Sequence, residues 1–531
     1  MTVRRPWTVR AGGVAVAALL GLTACSAPAE EGGGSAAHDS LVVGIATEPD
    51  TLSPLLGYGK DGNSKIFDGL LRHDADLQLT PALATELPEV SEDGLTYTYR
   101  LREGVEFTDG DPFTAEDVVF TYETILDPDT NNPYRDELDA LQDVRAEDDH
   151  TVVFTLAYPY APFAERTVLP IASASAAGDQ DVNTGSYNTE PVGTGPYVLT
   201  GWTPGERLTF EANPDYWGGA PEVRRLTMAV IPDDDVRATR LRSGDLDAAV
   251  LPPNLAEGFA DDEGLVTHEA ESADFRAVTL PSGNPVTGDR AIRRALDLAV
   301  DRELMVDSVL LGAGHAAYGP IPVSSPWFAD GTERAHDPEA AGRILDEAGW
   351  PPGDDGVRAR DGQRAEFTLW YPAGDRLRQE HALAFATDVA EIGVDVTVES
   401  GSWEVIEGRL TEDAVLSGGG NPADPDFDLY GLLYSELAGD GWNNMGQYAN
   451  ADVDEQLDLA RRTADRDERQ AAYDRVQRAL VDDPGYTFLT HIDHVYVMAD
   501  HWEGVTTQPE PHDHGLGHGP WWNVEDWRIR E

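Results

Sequence analysis

The stretch that begins at Pro191 constrains the fold more than any other part of this chain. Gly193 and Gly195 permit a tight backbone reversal, residues 197–200 and 208–211 are short runs of β-formers, and Asn213-Pro214 supplies turn chemistry, which together predict a hairpin. Residues 225–231 read as a buried strand. Asp233, Asp234 and Asp235 then offer N-cap oxygens to a helix over 236–243, Gly244 suits its C′ position, and a strand over 246–250 closes a strand, helix, strand unit. Such an order commits the chain to an α/β architecture.

Three phrases inside this stretch, Gly193-Thr194-Gly195-Pro196-Tyr197, Asn213-Pro214-Asp215-Tyr216-Trp217-Gly218-Gly219 and Leu241-Arg242-Ser243-Gly244-Asp245-Leu246-Asp247, resemble the family 5 extracellular solute-binding proteins, which serve peptide, nickel and opine ABC importers. A second signature of that family is matched by residues 101–110 and by Pro112-Phe113-Thr114-Ala115-Glu116-Asp117-Val118. Its local physics is plain: Asp109-Gly110 makes a turn, Thr114 N-caps a helix and Asp117 takes the capping-box position. Further family phrases are Leu52-Ser53-Pro54-Leu55, Ile66-Phe67-Asp68-Gly69-Leu70-Leu71, whose apolar spacing predicts a helix over 63–72, and Pro81-Ala82-Leu83-Ala84. Capped helices are expected from 289 and from 337, and strands over 366–370 and 394–398 around a helix at 376–392 repeat the α/β logic.

The resemblance implies an α/β, two-lobed periplasmic-binding-protein-like clamp (type II, cluster C) with an extra inserted subdomain in its first lobe. The first lobe is expected from 41–88 with 190–285 and 498–531, the inserted subdomain from 89–189, and the second lobe from 286–497. Gly519-Pro520-Trp521-Trp522-Asn523 and Trp527 read as a tail packing back onto the first lobe.

Residues 1–24 have a basic head with Arg4, Arg5 and Arg10 and then an uncharged apolar run, too short to span a membrane, which is the order of a secretory signal. Leu22-Thr23-Ala24-Cys25 resembles a lipoprotein lipobox, and Cys25 is the only cysteine, so no intramolecular disulfide is possible. Residues 25–40 then read as a lipidated flexible tether. The expected location is extracytoplasmic, held to the cell membrane by lipid. With 97 acidic against 38 basic residues the net charge is -59, which repels nucleic acid. Because the charge is spread along the chain, it reads as a solvating surface.

No catalytic constellation is present. There is no Gly-x-Ser-x-Gly elbow, His-Glu-x-x-His or Walker A sequence, and the ATPase of an importer has to be another chain. Asp127, Asp129 and Asn131 mimic a calcium loop, but Asn132 stands where glycine is needed and Leu138 where a bidentate glutamate is needed.

Ligand contacts are expected from the glycine-rich segment 401–434: Trp403 as an aromatic wall, Arg409 as a carboxylate clamp, and Asp424, with Asp426 in reserve, as the partner that the resemblance implies for a peptide's α-amino group. Tyr58 completes this set. Six of the 13 histidines follow residue 490, and His512, His514 and His518 are candidate metal ligands. No cofactor is expected, with Ni2+ considered only as a transported ligand. The expected function is a monomeric receptor that captures di- or oligopeptides for an ABC permease and its ATPases. A receptor for nickel or a metal chelate is the alternative. From a different class comes a secreted metallohydrolase using the C-terminal histidines, which lacks a general base at metalloprotease spacing, and a surface adhesin would show no lobe closure.

Overall fold

The computed structural model describes residues 39–512 and 517–530. The expected signal peptide, Cys25, nearly all of its tether and His514 lie outside these residues.

Two sheets organise the described chain. The first has seven strands in the order Leu265–Ala270, His494–Ala499, Ala248–Leu251, Ser40–Ile45, Arg225–Val230, Arg207–Ala212 and Tyr197–Thr203. Ser40–Ile45 is its centre and runs parallel to both neighbours. The predicted hairpin forms as Tyr197–Thr203 against Arg207–Ala212. The helix after it, Asp234–Arg242, starts where Asp233 accepts from the Val236 N–H, and Gly244 beyond its end has φ +77°. The two strands of the predicted unit do not pair with each other, because Ser40–Ile45 lies between them and makes the parallel contacts to both.

The second sheet has six strands in the order Gly314–Ala316, Tyr486–Ile492, Phe275–Thr279, Ala414–Gly419, Glu366–Pro372 and Asp395–Gly401. Glu366–Pro372 is parallel to both neighbours. Helices Arg290–Ala299, Pro338–Glu347 and Arg376–Glu391 cover this sheet, their apolar faces joining its core through Ile292, Leu345 and Phe385. Within the segment expected as an inserted subdomain, a four-stranded antiparallel sheet spans Glu89–Val90, Thr96–Arg100, Thr151–Leu156 and Leu141–Asp148. Helix Ala115–Leu126 packs on it through Val118, Tyr122 and Ile125, and Asp117 accepts the Thr114 N–H at 2.9 Å.

Sheet membership corrects the expected lobe boundaries. Phe275–Thr279 belongs to the second sheet although residues up to 285 were assigned to the first lobe, and His494–Ala499 belongs to the first sheet although residues up to 497 were assigned to the second. The chain therefore crosses at 271–274 and at Asp493. The reason is pairing: both strands are buried and β-rich, and which sheet accepts them depends on distant partners. A further connection follows residue 504, where Glu510 exchanges backbone bonds with Glu271 and Ala273 and the His512 N–H reaches Gly420 O at 2.8 Å. Gly420 is obligatory there: its φ is +134°, and a methyl group on it would lie 1.8 Å from the Ala273 carbonyl oxygen.

The helix predicted over 63–72 does not form. Residues 65–66 are instead drawn out as a partner for the glycine-rich reversal, with the Gly195 N–H on Ile66 O at 2.8 Å and the Tyr197 N–H on Lys65 O at 3.0 Å. The tail packs on the first sheet, where Trp521, Val524 and Trp527 share a core with Leu41 and Val43. A buried indole removes roughly 200 Å² from water, on the order of 5 kcal/mol of gross stabilisation. Among the described residues no helix is long and apolar enough to cross a membrane.

Candidate functional site

Parallel strands place their carboxyl ends on one edge, and loops leaving that edge commonly build binding sites in open α/β sheets. In the second lobe Pro372 pairs with Gly401 and Trp370 with Val415. Arg378, Trp403 and residues 420–428 therefore follow strands that end side by side. In the first lobe the loop after Ser40–Ile45 carries Lys60, Asp61 and Asn63.

These loops meet around a cavity of about 30 Å³, room for about two water molecules. Lys60 and Asp61 line it from the first lobe, Arg166 from the 3₁₀ segment Ala161–Val168, Asn421 and Phe427 from the second lobe, and Pro509 from the C-terminal connection. The lobes are thus in contact across the site. The Arg166 guanidinium lies 3.6 Å from the centre of the Phe427 ring, and Asn421 Nδ2 approaches Asp61 Oδ1 at 3.5 Å.

Two carboxylates at this contact are poised differently. Burial works against ionisation of Asp61, but Lys60, 3.2 Å away, and Arg166 outweigh it and hold this carboxyl below its usual range. Burial pushes Asp428 up to about 7, only partly offset by the Asn421 N–H that it accepts at 2.6 Å. The charges of Lys60 and Asp61 in the opposite lobe act on Asp428, and an incoming ammonium would convert an unfavourable carboxylate into a paired one.

A cluster of basic side chains surrounds Gly418, three residues before the cavity-lining Asn421. A methyl group on Gly418 would meet Arg276 Nη1 and Arg378 Nη2 each at 2.8 Å and the His512 ring at 3.0 Å. Arg276 is paired with Asp274, Arg378 with Asp375 at 2.5 Å and His512 Nδ1 with Asp274 at 2.6 Å, yet the Nε–H groups of both arginines find no partner among the described residues. Burial, then the adjacent Arg276 charge, pushes Arg378 down. The arrangement can accept an anion, for which two guanidiniums are suited donors.

The residues expected from sequence are dispersed. Asp424 is turned into the second lobe, where it takes Arg469 Nη2 at 2.7 Å and caps the Asp426 N–H at 2.9 Å, so the carboxylate expected for a ligand ammonium is committed to a buried ion pair. Asp426 is buried against Tyr160 and Arg461. Arg409 is also corrected: it is exposed, pairs with Asp413 four residues on at 3.2 Å and lies over Trp370. Trp403 is 43% exposed, edge-on to Trp442, with the Arg378 guanidinium 5.7 Å away. Tyr58 packs edge-on to Phe67 in the first-lobe core. His512 and His518 are engaged by Asp274 and Asn63 respectively, and among the described residues no group of three histidine, cysteine or carboxylate side chains is placed to hold a metal ion. Sequence reasoning missed Lys60, Asp61, Arg276, Arg378 and Asp428. The one available signal was position, since Asp61, Arg378 and Asp428 each follow a β-run across a glycine.

Residues 78–440 match the family model described as bacterial extracellular solute-binding proteins, family 5 middle. The chain is 64% identical over 521 residues to Protein XP55 of Streptomyces lividans, covering 96% of each. It is similar to the structure of NikZ from Campylobacter jejuni in complex with Ni(L-His), at 30% identity and TM-score 0.83, covering 92% of this chain and 99% of that one. The oligopeptide-binding protein AppA of Bacillus subtilis in complex with a nonapeptide matches at 26% identity and TM-score 0.79, covering 93% and 99%.

Proposed function

Because this chain belongs to family 5 of the bacterial extracellular solute-binding proteins, receptors that work outside the membrane with ABC permeases, we propose that it captures short peptides and delivers them to such a permease. The observation that carries the reading is the separation of charged groups along one stretch of chain: Asp61 and Asp428 beside Asn421, Arg276 and Arg378 around Gly418. A zwitterionic chain with an ammonium at one end and a carboxylate at the other complements that order. The likeness to peptide-bound AppA supports it. Ligand contacting both lobes stabilises the closed form, which is the form a permease discriminates from the open one. Cys25, as the acylated first residue of the mature protein, would tether the receptor to the membrane.

A second reading, capture of nickel as an amino-acid chelate, is favoured by the likeness to NikZ holding Ni(L-His), since such a chelate also presents carboxylate to Arg276 and Arg378. Calorimetric titration separates the two. Trialanine binding with both ends free, and failing when either end is blocked, supports peptide capture, whereas binding of nickel with histidine and of no peptide removes it.

A further inference from the structure

Asp426 and Tyr160 join the lobes at a point that no contact with ligand requires. Tyr160 precedes the segment Ala161–Val168, which carries Arg166 to the cavity, and Asp426 is the first residue of helix Asp426–Leu433, which carries Phe427 and Asp428. Each is therefore the anchor of one cavity wall. The Tyr160 hydroxyl donates to Asp426 Oδ2 at 2.8 Å, and Arg461 Nε donates to both oxygens of the same carboxylate at 3.2 Å. The Arg461 guanidinium lies 3.7 Å from the Tyr430 ring centre and 5.0 Å from that of Tyr160, with Asp139 of the first lobe 3.8 Å away. All three principal groups are buried, at 1%, 3% and 8% exposure for Tyr160, Asp426 and Arg461.

We propose that Tyr160, Asp426 and Arg461 form an interlobe latch that draws the two cavity walls together and makes the closed form accessible without ligand. Within the second lobe the Asp426 and Arg461 pair is complete by itself. Closing adds the phenol, a second aromatic face for the guanidinium and the Asp139 charge, and removes water from the pair, which strengthens each contact. On opening, the pair stays together and hydrates. The latch is thus a difference between two states and acts on the equilibrium, whereas selectivity among ligands is left to the charged groups around Gly418 and Asn421. The scattering readout does not depend on what the cavity binds, and the affinity readout rests on the proposed peptide capture.

The test is small-angle X-ray scattering of the full chain in detergent, without ligand, for the wild type, Tyr160→Phe and Arg461→Lys, with Tyr197→Phe as control because its hydroxyl bonds only the Val223 carbonyl inside the first lobe. A hydrogen bond to a charged group shifts the closed-to-open ratio by about ten- to a hundredfold. Tyr160→Phe and Arg461→Lys are expected to enlarge the radius of gyration relative to wild type and control, and to weaken trialanine and larger peptides by one common factor. Scattering of both variants indistinguishable from wild type overturns the latch, as does a loss of affinity confined to one class of peptide. Thermal midpoints recorded alongside identify a misfolded variant, and the other variant then decides.

Discussion

Glu510 holds the His494 imidazole where the chain crosses between lobes, with Oε2 2.6 Å from Nδ1. Burial alone would push this imidazole down, but hydrogen bonds to Asp274 and Glu510 outweigh it and hold it at about 9. A histidine raised in the folded state contributes stability that is fully present below its unfolded value of about 6.5 and is lost as pH rises through the folded value. Thermal midpoints should therefore fall between about pH 7 and about pH 9, by a free energy on the order of 3 kcal/mol. His494→Gln should be less stable than wild type near neutrality and show a flatter profile. Parallel profiles for the two proteins would contradict the assignment.

Asp428 has the opposite sense for binding. With its carboxyl at about 7, it is increasingly ionised as pH rises, while a peptide's own α-amino group loses its proton above about 8. Affinity for a peptide with a free amino end should peak between about pH 7 and about pH 8, and Asp428→Asn should weaken it by about ten- to a hundredfold at the peak and flatten the curve. Titration calorimetry across pH reads both.

Arg378 should discriminate the other end. Peptides with an amidated carboxyl end are expected to bind wild type about tenfold or more weakly than their free acids, and Arg378→Gln should bind both forms alike. Equal discrimination in the variant would assign the anion contact elsewhere.

Asp424 and Arg409 should separate stability from binding. Asp424→Asn leaves Arg469 buried without its partner and is expected to cost about 3–5 kcal/mol of stability. Arg409→Ala, in an exposed pair, should change stability by about 0.5 kcal/mol or less. Chemical denaturation of each variant checks the contrast.

Local rules carried the reading of the chain where local chemistry decides. Asp233 and Asp289 cap their helices by accepting N–H groups two or three residues on, and Gly244 needs its positive φ wherever the fold places it. Tertiary partners decided the rest. The spacing of Ile66, Phe67, Leu70 and Leu71 reads as helical, but Lys65 and Ile66 give their carbonyls to Tyr197 and Gly195. Phe275–Thr279 and His494–Ala499 could serve either lobe as sequences, and only their distant partners say which. The site was least legible for the same reason. Nothing local shows that Arg469, 45 residues on, claims Asp424, or that Asp426 and Asp428 are the carboxylates near it that interact with the opposite lobe.

The most direct test of peptide capture is thermal unfolding of the metal-stripped full chain in detergent, alone, with a pool of short peptides and with nickel plus histidine. A ligand bound only by the native state raises the midpoint by mass action, by about 2.7 kcal/mol of stability at a hundred times its Kd. The account predicts a rise with peptides that is much reduced in Asp428→Asn and in Arg378→Gln. A rise with nickel and histidine alone, and none with any peptide, would contradict it.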